Sequence, residues 1–226
     1  MLTGILVQDT AGTESIEAVS PDLVDDQARC LLEDMPVHAM KVGPLYTTES
    51  VSVLAQITAD YSHVPLVVQL QRIPNVSLED EFDAEETQAA LLELVLPQTD
   101  LVVADHALLL QWQSHGLLPG TSLEQAVASV LEFGASALLV SGVPSGGSQR
   151  FYFYRDENGQ TSQFAAQATE TVLGTDSLMA TAIAAELARG SEVPVAVDYG
   201  LACINAMNGR SFQPGMGAKI FNRSHR

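Results

Sequence analysis

Cations are scarce in this chain: 10 lysines and arginines stand against 28 aspartates and glutamates, a formal charge of −18. The lysines are Lys41 and Lys219 alone. A nucleic-acid surface needs clustered cations to displace counterions, so no nucleic-acid partner is expected. Cysteine is almost as rare. Cys30 and Cys203 stand apart, with no C-x-x-C pair, which predicts buried free thiols rather than a disulfide framework or thiolate metal centre. His38, His63, His106, His115 and His225 show neither H-x-H nor H-E-x-x-H spacing, so no metal centre built on nitrogen is expected. Apolar runs such as Ala135–Val140 stop far short of a membrane span. Met1–Gln8 lacks the positive charge and small-residue cleavage site of a signal peptide. No membrane partner and a cytoplasmic location follow as expectations. The acidity itself reads as solubility, and it opposes a polyphosphate ligand unless local cations or a metal outweigh it.

What the chain does have is core. Apolar residues make up 46% and charged residues 17% of 226, enough for one large α/β domain. Leu2–Val7 reads as a strand that stops at Gln8-Asp9-Thr10-Ala11-Gly12. Ser20-Pro21-Asp22 opens a helix, with Ser as N-cap and Pro at the first helical position, and the helix ends near Pro36. A strand follows over His38–Val42, closed by Gly43-Pro44, and Thr47-Thr48-Glu49 starts a second helix. Pro65–Leu70 and Leu101–Ala104 read as buried strands, with an irregular acidic stretch over Gln71–Phe82 and a helix over Ala84–Leu96. His106–His115 is a short helix, and Thr121 or Ser122 caps a longer one that ends at Gly134. Ala137–Val140 is a strand. Arg150–Arg155 pairs with Thr161–Ala166 across Asp156-Glu157-Asn158-Gly159, where Asn-Gly is a hairpin signal. Helices over Asp176–Arg189 and Pro194–Met207 finish the chain. Buried strands alternating with amphipathic helices predict a mostly parallel sheet covered on both faces, with one antiparallel hairpin at its edge.

Ligands of open parallel sheets bind outside the carboxyl ends of the strands. That rule singles out Gln8–Gly12, Gly43–Leu45, Gln69–Arg72, Asp105-His106 and Ser141–Ser148. The turn Gly174-Thr175-Asp176-Ser177 adds a glycine-bearing helix start, where free N–H groups converge on an anion. Pro144-Ser145-Gly146-Gly147-Ser148 could wrap a phosphate but lacks the lysine of a P-loop, and a hairpin connection explains it as well.

The order of these pieces resembles the hydroxymethylpyrimidine/phosphomethylpyrimidine kinases of the ribokinase-like superfamily. The resemblance rests on Met40-Lys41-Val42-Gly43, Gly134–Val140 before a glycine-bearing loop, and Gly174-Thr175 opening the alanine-rich helix Ala180–Gly190. Gln8–Gly12 and Pro214-Gly215-Met216-Gly217 fit as well. It implies a three-layer α/β/α domain with a mostly parallel sheet and an edge hairpin. It also implies transfer of a phosphoryl group from ATP with magnesium, at an anion hole on a helix N-terminus. Against the family's G-T-G-C, the turn here reads Gly174-Thr175-Asp176-Ser177, which puts Ser177 at the base position and a carboxylate where phosphate should bind. The family's D-P-V is Gln69-Leu70-Gln71; its T-P-N-x-x-E aligns with Val103-Ala104-Asp105 and Leu108; its K-G-G-H becomes Ser141-Gly142-Val143-Pro144. Lys41 matches a family lysine and either faces the site or serves as a structural cation, while Asp176 also reads as a helix cap. Gly43, Gln69, Asp105, Ser141 and Gly142 complete the pocket candidates.

Three functional readings follow from the resemblance. The first is a catalytically impaired homologue on the pyrimidine branch of thiamine synthesis that keeps a pocket for a small pyrimidine. The second is an active ATP- and magnesium-dependent kinase, and the third a structural or oligomerising protein. The family's first strand, glycine-rich loop and helix have no counterpart before Met1, so residues 1–226 are expected to form one domain lacking that unit. An incomplete sheet would expose an edge that a twin chain covers, which makes a homodimer the expectation and a monomeric mass its refutation.

Overall fold

The computed structural model describes residues 1–74, 83–147, 149–166, 172–207 and 209–224. Residues 75–82 of the expected acidic loop, Ser148 of the Pro144–Ser148 loop and His225 lie outside the described residues.

β1 (Gly4–Gln8) and β2 (Thr13–Ala18) form an antiparallel hairpin of their own. α1 (Pro21–Asp34) then begins on the Ser20 cap, whose Oγ accepts from Leu23 N. β3 (Met40–Val42), α2 (Thr48–Asp60), β4 (Leu66–Gln69), α3 (Ala84–Leu94), β5 (Leu101–Asp105), α4 (His106–Ser114), α5 (Leu123–Glu132) and β6 (Ala137–Pro144) alternate strand and helix. β7 (Arg150–Asp156), β8 (Thr161–Ala165), β9 (Val172–Leu173), α6 (Thr175–Leu187), α7 (Val193–Ala206), β10 (Ser211–Phe212) and β11 (Lys219–Phe221) complete the chain. Strong caps set the helix starts. Thr47 accepts from Ser50 N, Asp83 from Glu85 N and Glu86 N, and Ser122 closes a reciprocal capping box with Gln125.

The main sheet runs β3-β4-β5-β6-β7-β8. The pairs from β3 to β6 are parallel; β7 and β8 return antiparallel across the predicted Asp156–Gly159 turn. Because side chains alternate across a strand, each buried strand feeds two cores. Val68, Val102, Leu138 and Val140 pack beneath α2 to α5. Val67, Leu101, Val103 and Leu139 pack beneath α6 and α7. The result is the expected α/β/α sandwich.

Three expectations are corrected. β1 does not join the parallel sheet, so Gln8–Gly12 is the tip of a separate hairpin, closed by Asp9 Oδ1 accepting from Ala11 N and Gly12 N. That hairpin is held by Thr3 Oγ1 donating to Pro44 O at 2.9 Å and by Gly4, where a Cβ would stand 2.5 Å from the Tyr46 ring. The β7–β8 hairpin is not the lone antiparallel feature, since β10 and β11 also pair antiparallel beside β9. Cys30 is exposed on α1, away from that helix's buried Val24 and Ala28, and Cys203 is half-buried on α7; neither is in a disulfide. Among the described residues no helix is long and apolar enough to cross a membrane.

Candidate ligand site

The parallel topology brings the carboxyl ends of β4, β5 and β6 to one edge of the sheet, and α6 starts above them. Between these elements lies a cavity of about 860 Å³. Gln69 ends β4, Asp105 ends β5, and Ser141 and Gly142 belong to β6; all line the cavity. Facing them are Gly174, Thr175, Asp176 and Ser177, the opening turn of α6. Eight sequence candidates therefore converge on one space. Lys41 and Gly43 do not line it, yet Lys41 Nζ donates to Ser177 Oγ at 3.5 Å.

The turn is built by glycine. Gly174 adopts φ +81°, a left-handed conformation that reverses the chain between β9 and α6. Thr175 Oγ1 braces it by donating to Val172 O at 2.7 Å. No side chain caps the amino end of α6. Asp176 departs from the capping expectation: its Oδ2 accepts from Ser141 Oγ at 3.0 Å, across the cavity rather than along its own helix. Its carboxyl is pushed up to about 6 from the ordinary 3.8, chiefly by desolvation, with the neighbouring Asp105 charge adding to the rise and the Ser141 hydrogen bond opposing it. The Tyr152 phenol, on the cavity wall, is pushed up to about 12 by burial and then by the Asp176 charge.

Asp105 does not pair with His106. Its Oδ1 caps α4 by accepting from Ala107 N at 2.8 Å and Leu108 N at 3.3 Å. Oδ2 lies against Gly142, where a Cβ would stand 2.8 Å away and where φ is +70°, so both space and backbone call for glycine. Gln69 is 6% exposed; its Nε2 donates to Gln71 Oε1 at 3.3 Å, and its Oε1 has no hydrogen-bond partner among the described residues. Burial lowers the Lys41 ammonium below its usual range.

Sequence reasoning missed the site's cations. Arg150, first residue of β7, lines the cavity and donates from Nη1 to Gly142 O at 2.8 Å, beside the loop whose family lysine and histidine are replaced. Arg223 Nη2 lies 4.0 Å from where a Cβ of Gly174 would stand. In so cation-poor a chain, an arginine directly after the glycine-rich loop was the signal available for Arg150; only the return of β11 reveals Arg223.

These residues decide how well the family's cofactors fit. The uncapped start of α6 and the two arginines suit an anion, but the Asp176 carboxylate projects into the same space. No group of three or more His, Cys, Asp or Glu side chains that could hold a metal exists among the described residues. Magnesium is commonly held by one or two carboxylates, which Asp105 and Asp176 could supply, together with water and phosphate oxygens, whereas a phosphate placed directly against Asp176 would meet a like charge.

Solved structures share this architecture. The pyridoxal kinase of Bacillus subtilis, an ADP complex, superposes with a TM-score of 0.81 at 19% identity, covering 97% of this chain and 84% of that one. The phosphomethylpyrimidine kinase of Clostridium difficile gives 0.69 at 17% identity, covering 91% and 84%. At such identities the likeness establishes the fold alone, a ribokinase-like α/β/α sandwich. The family model for phosphomethylpyrimidine kinase matches residues 1–222, and the chain belongs to that family. The hydroxymethylpyrimidine/phosphomethylpyrimidine kinase of Rhizobium meliloti is 26% identical over 209 residues, 91% of this chain and 77% of the relative. A chloroplastic thiamine biosynthetic bifunctional enzyme of Arabidopsis thaliana is 27% identical over 206 residues, 87% of this chain but 38% of that enzyme's length.

Proposed function

We propose that the chain is a small-molecule-binding member of the phosphomethylpyrimidine kinase family, acting in the cytoplasm on the pyrimidine branch of thiamine synthesis, in which phosphoryl transfer is impaired. One observation carries the reading: the Asp176 carboxylate, held by Ser141 at 3.0 Å and close enough to Asp105 to feel its charge, stands in the turn where phosphate would bind. Phosphoryl transfer depends on charge stabilisation at that point, and an ionised carboxylate there opposes it. Ser177, at the position of the family's base, is a hydroxyl, and loss of a positioned base costs about 10²–10⁴-fold.

The test pairs calorimetry with turnover. Hydroxymethylpyrimidine is expected to bind saturably, while phosphate transfer from magnesium-ATP falls at least about a hundredfold below that of the Rhizobium relative. Equal turnover would sink the reading.

An active kinase is the second reading, and the Lys41–Ser177 contact at 3.5 Å favours it. A lysine whose pKa burial lowers is the neighbour through which a serine hydroxyl could lose its proton. In that case Lys41→Met abolishes turnover and leaves pyrimidine binding intact.

A further inference from the structure

We infer that the β1–β2 hairpin is a strap across the cavity, hinged at its base and latched at its tip onto the loop 213–218, and that release of the latch opens the cavity wall leading to the Gly174 turn. The device serves whichever small molecule the cavity takes.

The hairpin is held at its two ends and hardly at all between them. At the base, Val19 N donates to Thr3 O at 3.1 Å, Thr3 Oγ1 donates to Pro44 O, and Gly4 lies against the Tyr46 ring. Within the two strands Ile16 alone is buried, while Ile5 and Val7 are more than half exposed. Neither strand makes more than marginal contact with any helix or strand except its partner. A segment with so little buried apolar surface opens locally at far lower cost than the sheet beneath it.

The contacts at the tip are specific. Asp9 Oδ1 accepts from Ala11 N and Gly12 N, which fixes the turn that carries Thr10. Thr10 O accepts from Ala218 N at 2.7 Å, and Thr10 Oγ1 accepts from Gly217 N at 3.2 Å, joining points 207 residues apart in the chain. A Cβ on Gly217 would overlap the Thr10 carbonyl and Ala11 N, and one on Gly215 would stand 3.1 Å from Thr10 Oγ1. The tip therefore seats directly on glycine backbone. Gln213 Nε2 donates to Gly217 O at 2.9 Å and holds the receiving loop.

The latch reaches the ligand site through backbone. Ala218 leads into β11, whose Lys219 and Ile220 pair with Val172 and Leu173 of β9, and β9 runs directly into Gly174. Gln8 beside the tip, Val172 and Leu173 of β9, and Phe221 of β11 all line the cavity. One wall of the cavity is thus built from both halves of the latch, and parting Thr10 from Gly217 and Ala218 frees that wall.

The test replaces Cys30 and Cys203 by serine, places a single thiol at the buried cavity-wall position with Val172→Cys, and follows its reaction with a maleimide. Gly217→Ala is the unlatching variant. Gly217 is outside the left-handed region, so the added methyl acts through Thr10 and Ala11 rather than through its own backbone. It is expected to raise the labelling rate at least about tenfold, on the scale of the tip hydrogen bonds it breaks. Amide exchange should quicken in β1, β2, β9 and β11 and stay unchanged in β4, β5 and β6. Thr10→Val, which removes one acceptor, gives a smaller increase. Gly12→Ala, whose Cβ meets nothing within 4 Å, keeps the parent rate. A parent rate in Gly217→Ala, equal acceleration by Gly12→Ala, or faster exchange in β4 to β6 would overturn the inference. So would faster exchange of the hairpin with unchanged labelling, which describes a frayed hairpin and no strap. Should Val172→Cys fail to fold, amide exchange at β9 in the otherwise native chain reads the same outcomes. Neither readout uses a ligand, so its failure leaves the metabolic reading standing.

Discussion

Replacing Asp176 by Asn should stabilise the protein at neutral pH and leave it unchanged in acid. The carboxyl titrates near 6 in the fold against 3.8 unfolded. Between those values the native state holds a proton that the unfolded chain has released, so stability falls as pH rises through this window. Roughly two pH units at about 1.4 kcal/mol each give about 3 kcal/mol lost by pH 7 and regained below pH 4. Asn keeps an oxygen to accept from Ser141 but carries no charge, so it escapes the loss. Urea unfolding of both proteins at pH 4, 5, 6 and 7 isolates the effect, because every other titrating group cancels in the difference. The Asn variant should gain about 2–3 kcal/mol across that series, or roughly 4–12 °C in melting temperature at pH 7. A gain that is constant with pH, or a variant less stable at pH 7 than the parent, would refute the placement of an unmatched carboxylate in the cavity.

Three further substitutions probe the scaffold. Gly200→Ala on α7 puts a Cβ 2.5 Å from Ile183 Cγ1 and should cost about 1–3 kcal/mol by denaturant unfolding, with a smaller penalty in an Ile183→Ala background, where that atom is gone. Leu139→Ala opens a hole between β6 and α6, where the side chain is fully buried, and should cost about 2–5 kcal/mol in the same assay. Ser122→Ala breaks the capping box of α5 and should cost about 1 kcal/mol by denaturant unfolding.

Much of the architecture is legible because it is local. Ser20-Pro21, Thr47 and Ser122 mark helix starts through side-chain oxygens that reach N–H groups within three residues, and the structure places α1, α2 and α5 there. Continuous apolar runs identify β4, β5 and β6 because a strand buried on both faces has no polar side to show. The hairpin of β1 and β2 escapes the same logic. Leu2–Val7 is as apolar as a sheet strand, but its partner is the polar Thr13–Ala18, and Ile5 and Val7 remain exposed.

The sequence alone determined the sandwich, the strand-end candidates Gln69, Asp105, Ser141 and Gly142, and the separate glycine-bearing helix start Gly174–Ser177, since each depends on periodicity or backbone chemistry confined to a few neighbouring residues. How the side chains of the site face one another was decided only by tertiary structure. Asp176 faces Ser141, 35 residues away in the chain, rather than capping its helix, whereas Asp105 fixes α4 through Ala107 and Leu108 and Gln69 donates to Gln71, both local choices of rotamer. Arg150 enters the cavity only because β7 folds back on β6, Arg223 approaches Gly174 only because β11 pairs with β9, and Lys41 meets Ser177 only because α6 packs across the sheet. Charge acts through space rather than along the chain, so its sign at the cavity floor could not be read before the fold had brought these groups together.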